Sequence, residues 1–118
     1  MTARKMPVRT HEFNLNGDWT GWNFTAKVNI PLGTFERLQT GKFTEITDVL
    51  AGILIDWNFV DESGEPLKAI RKEQGENGKE IEMEVVGPCL ETVRLLPVDL
   101  GTIVLREITT YIRELPNN

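Results

Sequence analysis

One cysteine and one histidine among 118 residues remove several chemistries before any pattern is sought. Cys89 has no second thiol, so an intramolecular disulfide, a thiolate zinc cage and a CxxC redox pair are all excluded. A reducing compartment is expected. His11, the single imidazole, lies in a poorly patterned segment, which leaves no base for a serine or cysteine nucleophile. No apolar run approaches the roughly 18 residues of a membrane span, and the region after Met1 lacks the apolar core of a signal peptide. Neither a membrane partner nor export by that route is expected. Positive charge is also short: 13 Lys and Arg face 18 Asp and Glu, a net charge of −5 that opposes phosphate-backbone binding, so no nucleic-acid partner is expected. Arg4, Lys5, Arg9 and His11 form the one basic cluster and read as a solvated tail. Phosphate-cradling motifs of the GxxxxGK[ST] or GxGxxG type are absent.

What is present is a globular composition, 40% hydrophobic and 26% charged, in a chain long enough for one core. Residues 1–11 are expected as a flexible N-terminal tail, and residues 12–116 as a single domain. Phe13 and Leu15, then Asn16-Gly17-Asp18, then Trp22, Phe24, Ala26, Val28 and Ile30 alternating with polar residues, predict a β-hairpin with one apolar face. Its turn closes at Asn16-Gly17 or runs on to Gly21. Pro31 ends the second strand, and Thr34 opens a short helix carrying Phe35 and Leu38 that Gly41 interrupts.

Ile46, Val49, Leu50, Ile53, Leu54 and Trp57 recur at three- and four-residue steps, predicting a helix over Thr44–Ile55. Asp61 to Pro66 is dense in turn formers. The stretch 68–91 reads as a mobile charged loop, in which 68–80 is a mobile loop or a hairpin tip and Glu82–Val86 a strand that Gly87-Pro88 stops. A last long helix opens near Leu95 with Pro97 in its first turn. Its expected buried stripe is Val98, Ile103, Val104, Ile108, Tyr111, Ile112 and Leu115, and Pro116 terminates it. The expected class is α+β: an N-terminal antiparallel hairpin or small sheet packed against two main helices plus a short one.

Side chains that carry chemistry have structural explanations in this pattern. Asp56, Asp61, Glu62 and Glu65 cluster in sequence without EF-hand spacing, and fit a solvated turn better than a Mg²⁺ or Ca²⁺ site. Glu80, Glu82 and Glu84 alternate as on a solvent-facing strand edge. Cys89 has no charged activator beside it. Trp22 and Trp57 fit the core pattern, whereas Trp19 sits in the turn, exposed, and is the candidate partner anchor. No catalytic, cofactor-binding or metal-binding residue is assigned.

An ordered series of segments then carries a resemblance. Asn16-Gly17-Asp18-Trp19-Thr20-Gly21-Trp22 leads a strand, and Phe35-Glu36-Arg37-Leu38-Gln39-Thr40-Gly41 follows. The apolar helix runs into Trp57-Asn58-Phe59-Val60-Asp61-Glu62-Ser63-Gly64-Glu65-Pro66-Leu67, and Leu95-Leu96-Pro97-Val98-Asp99-Leu100 opens the final helix. Over residues 12–67 and 94–115 the chain resembles the tail assembly chaperones of long-tailed bacteriophages, with the run from Trp57 to Leu67 the most telling element.

The resemblance implies a non-enzymatic protein of the bacterial host's cytoplasm. Such a protein accompanies the tape measure protein while tail tube subunits assemble around it, and it is absent from the finished tail. It also implies that the tape measure protein, and through it the tail tube protein, are partners, and it is compatible with self-association and with a frameshifted extended form. Two alternatives stay open. One is a structural subunit of the tail tube, tail terminator or head-tail connector, and the other is a small metal-dependent enzyme using Asp56, Asp61, Glu62 and Glu65.

Overall fold

A computed structural model describes residues 7–115. The alternating segment folds as expected into an antiparallel pair, β1 (Thr10–Asn14) and β2 (Asn23–Lys27), with Phe13 directly opposite Phe24. Residues one strand-step apart point to opposite faces. Phe13, Phe24, Ala26 and Val28 are therefore buried together while Lys27 and Asn29 are exposed. The connection is the longer of the two foreseen: a 3-10 turn over Gly17–Trp19, closed by Leu15 N–H donating to the Trp22 carbonyl at 2.9 Å. Gly17 (φ 66°) and Gly21 (φ 93°) take left-handed conformations that a side chain would strain.

The expected tail does not extend through residue 11. Residues 1–6 lie outside the described residues, but Thr10 and His11 already pair with Lys27 and Ala26. The Arg9 carbonyl also accepts from Val28 N–H at 2.9 Å.

Two helices follow, α1 (Leu32–Thr40) and α2 (Phe43–Ile53). Pro31, not Thr34, stands at the start of α1, where a fixed φ and a missing N–H suit the helix entrance. α2 ends two residues before the expected Ile55, and the chain enters β3 (Leu54–Trp57) with no loop between. By spacing alone, Leu54 and Trp57 extend the helical stripe. They instead pair with Ala26 and Phe24, completing a sheet of order β1-β2-β3, and Ile55 is the extra residue of a bulge.

The segment 68–91, expected as a mobile loop apart from a strand at Glu82–Val86, is largely regular, and the strand is present. β4 (Lys68–Gln74) pairs antiparallel with β5 (Glu80–Val86) along seven residues, and α3 (Leu90–Val93) follows. Its turn uses Asn77 and Gly78 at positive φ. Thr92 anchors the base of this ribbon. Its fully buried hydroxyl accepts from Cys89 N–H at 2.9 Å and donates to the Gly87 carbonyl at 2.6 Å. Arg71 of β4 forms a two-pronged ion pair with Glu91 of α3, both bonds at 2.9 Å.

The last helix, α4 (Val98–Arg113), begins after Pro97 rather than near Leu95. Leu100, Val104, Ile108 and Thr109 are its buried residues, with Ile103, Tyr111 and Ile112 partly buried against the core. Val98 and Leu115, expected in that stripe, are exposed. The protein is thus α+β: a three-stranded antiparallel sheet whose apolar face shares one core with α1, α2, α3 and α4, and a separate two-stranded ribbon. Among the described residues no helix is long and apolar enough to cross a membrane.

Candidate partner-binding surface

The surface is built outward from Asn58, which directly follows β3. Its side-chain oxygen accepts from Asn23 N–H at 2.8 Å, its amide donates to the Gly21 carbonyl at 2.9 Å, and its own N–H donates to the Asn23 carbonyl at 3.2 Å. These bonds continue the sheet past the last strand residue and hold the hairpin turn against the chain leaving β3.

Aromatic rings stack along the seam so formed. Trp57 lies 4.8 Å from the fully buried Phe59, Phe59 lies 5.4 Å from Trp22, and Trp22 meets Trp19 edge-on at 4.9 Å. Trp22 and Trp57, expected in the core, sit half-buried at its rim, and Trp19, expected exposed, is half-buried as well.

Beyond Phe59 the chain turns on Asp61. One oxygen of Asp61 accepts from Ser63 N–H (2.8 Å), Ser63 Oγ (2.6 Å) and Glu65 N–H (3.1 Å). The Ser63 hydroxyl, followed by the Glu65 N–H, pulls the Asp61 pKa below the ordinary carboxylate value and keeps it charged. The turn pairs Val60 with Pro66, and Val60 and Leu67 both line the groove at the start of α4. Trp19, Trp22, Leu67, Leu95, Pro97 and Leu100 then wall an open, mainly apolar groove of about 710 Å³. Asp61, Glu62 and Lys68 stand within the same lining.

A second apolar groove, of about 240 Å³, lies between α2 and α4 and is walled by Phe43, Ile46, Leu50, Leu96, Val98 and Leu105. Pro97 borders both grooves. Phe43 and Val98 are each 71% exposed and Leu95 is 50% exposed. Single exposed apolar residues are ordinary, but the two grooves, sharing Pro97, bring several of them together on one face. Helical periodicity placed Val98 in the core and gave no sign that Phe43 or Leu95 face solvent. Trp19 was the one member of the patch singled out in the sequence.

The acidic residues considered for a metal are not gathered. Among the described residues no group of three or more His, Cys, Asp or Glu is placed to hold a metal ion. Asp56 accepts from Trp57 N–H on β3 at 2.9 Å, while Asp61 is engaged in its own turn. Glu80 and Glu84 lie 3.9 and 3.6 Å from Lys72 and Lys68 across the ribbon. Cys89 is part-buried at the start of α3, its Sγ 3.3 Å from Thr92 Oγ1. Comparison with protein-family models, with curated proteins and with solved structures finds no match.

Proposed function

We propose that the protein is a tail assembly chaperone of a long-tailed phage or prophage, a non-enzymatic binder that keeps the tape measure protein soluble while the tail tube forms around it. The observation that carries this reading is the pair of adjoining apolar grooves across the start of α4, exposed on a chain of net charge −5. A long helical protein exposes apolar stripes that associate with one another in water. A small acidic protein that covers such a stripe removes it from solvent and adds charge repulsion between complexes. Trp19 is the candidate contact, since it lines the larger groove and aromatic anchors in apolar pockets contribute disproportionately to binding.

Co-expression with the tape measure protein of the same phage tests this. The reading requires the partner to appear in the soluble fraction and to co-purify. A partner that stays insoluble, with this chain retained in purified particles, rejects it.

One feature favours a second reading, that of a structural tail or connector subunit. The β4–β5 ribbon is a two-stranded sheet, so among the described residues each strand has an outer edge without a neighbouring strand, and such edges are used for strand addition between subunits. Retention in purified virions separates the two readings.

A further inference from the structure

Resting on the chaperone reading, we infer that the adjoining grooves receive one amphipathic α-helix whose polar flank is basic, laid across the start of α4 with its apolar face on Trp19, Leu95, Pro97 and Val98.

The occupant is a helix because of what the walls offer. Apart from Lys68, the first residue of β4, both grooves are lined by side chains of turns, connecting segments and helices. An extended peptide there would leave its backbone N–H and C=O groups facing Trp, Leu, Pro and Val without partners. A helix satisfies those groups internally and presents only side chains. The patch also continues from one groove to the next at Pro97, so it suits an elongated occupant better than a compact ligand held in one cavity.

The charge of the occupant follows from the rim. Asp61 and Glu62 stand in the lining of the larger groove, Asp18 adjoins Trp19, and Asp99 lies between Val98 of one groove and Leu100 of the other. Asp18, Glu62 and Asp99 are exposed. The cations in the two linings already face carboxylates: Lys68 lies 3.6 Å from Glu84, and Arg94 lies 4.0 Å from Asp48. The lining of the larger groove thus holds two carboxylates, Asp61 and Glu62, and one cation, Lys68, which bears on Asp61 as well as on Glu84. Basic residues flanking an apolar helical stripe match this rim, and acidic residues meet like charge.

The test uses the full chain and two synthetic 18-residue helical peptides without tryptophan, one with leucine on one face and lysine on the other, its counterpart with glutamate for lysine. Binding is read by calorimetry and by tryptophan emission, to which Trp19, Trp22 and Trp57 contribute. The leucine-lysine peptide is expected to bind saturably with one peptide per chain, at least about tenfold tighter than the leucine-glutamate peptide. Leu95→Asp is expected to weaken it by about tenfold or more although it adds a negative charge, and Glu62→Lys to narrow the difference between the peptides.

Equal binding of the two peptides, or none, overturns the inference. So does a Leu95→Asp protein, folded by circular dichroism, that binds the leucine-lysine peptide as tightly as the parent, since attraction would then be diffuse charge alone. These outcomes are separable from those of the chaperone reading. Solubilisation of the tape measure protein equally by the parent and Leu95→Asp chains rejects this groove and leaves that reading standing. Peptide binding without any effect on the tape measure protein rejects that reading instead.

Discussion

Asn58 and Asn23 are joined twice, through the Asn58 side-chain oxygen at 2.8 Å and through the Asn58 backbone N–H at 3.2 Å, so one residue past β3 both extends the sheet and fixes the entrance to β2. The same side chain also holds the Gly21 carbonyl. The position of Trp22, and through it of Trp19, depends on this brace.

Asn58→Ala removes two side-chain bonds. Both are at the surface, where a hydrogen bond contributes about 0.5–1.5 kcal/mol, so the expected loss of stability is about 1–2 kcal/mol. Urea unfolding should show a lower midpoint with an unchanged slope. Tryptophan emission, to which Trp19 and Trp22 contribute alongside Trp57, should also shift in the native state. A native spectrum identical to the parent's would mean that the brace does not position these rings.

Thr92→Val keeps the volume and removes the hydroxyl that joins Cys89 N–H to the Gly87 carbonyl. Because Thr92 is fully buried, the groups left without a partner are expected to cost about 1–3 kcal/mol. Amide exchange should rise at the base of the β4–β5 ribbon more than in β1 and β2. Uniform acceleration across both sheets would contradict a local role.

The Arg71–Glu91 pair predicts an acid-sensitive contact. The two hydrogen bonds from the Arg71 guanidinium hold the Glu91 carboxyl down to about 2 from an ordinary 4.5, and Glu91 in turn raises the Arg71 pKa. A depressed carboxylate pKa contributes stability that is fully present above the unfolded value and is lost as pH falls through the folded one. The tie between ribbon and α3 should therefore hold above about pH 4.5 and weaken progressively from there to about 2. In a carboxylate titration followed by NMR, Glu91 should move up toward 4.5 in Arg71→Met. An unchanged midpoint would show that Arg71 is not the cause.

Leu95→Asp separates surface from core. Leu95 is half exposed, so a polar replacement should change stability by less than about 1 kcal/mol, while Phe24→Ala, at a fully buried ring, should cost about 3–5 kcal/mol. Thermal or urea unfolding of the two variants checks the contrast. Comparable losses would place Leu95 in the core and remove it from the binding surface.

The elements legible in the sequence were those with one wet and one dry face. The alternation from Trp22 to Val28 and the three-four spacing from Ile46 to Ile53 state their periods directly, because a buried face selects apolar residues at that period. β3 was hidden because Leu54 and Trp57, three residues apart, also extend the stripe of α2. Pairing with β2, not local spacing, decides between the two. β4 was hidden for the opposite reason, whereas Glu82–Val86 of β5 could be read as a strand. Ile70, Ile81, Met83 and Val86 are all substantially exposed, so the ribbon has no continuous dry face to impose a pattern, and its charged residues resemble those of a loop. Trp19 could be singled out because it falls in a turn. Phe43, Leu95 and Val98 could not, since periodicity reports which residues share a face and says nothing of whether another element covers it.

The most direct measurement is the soluble fraction of the tape measure protein when co-expressed with the parent chain or with folded Leu95→Asp. The account predicts a soluble, co-purifying partner with the parent and an insoluble one with the variant. An insoluble partner in both cases, together with this chain present in purified tails, would contradict it.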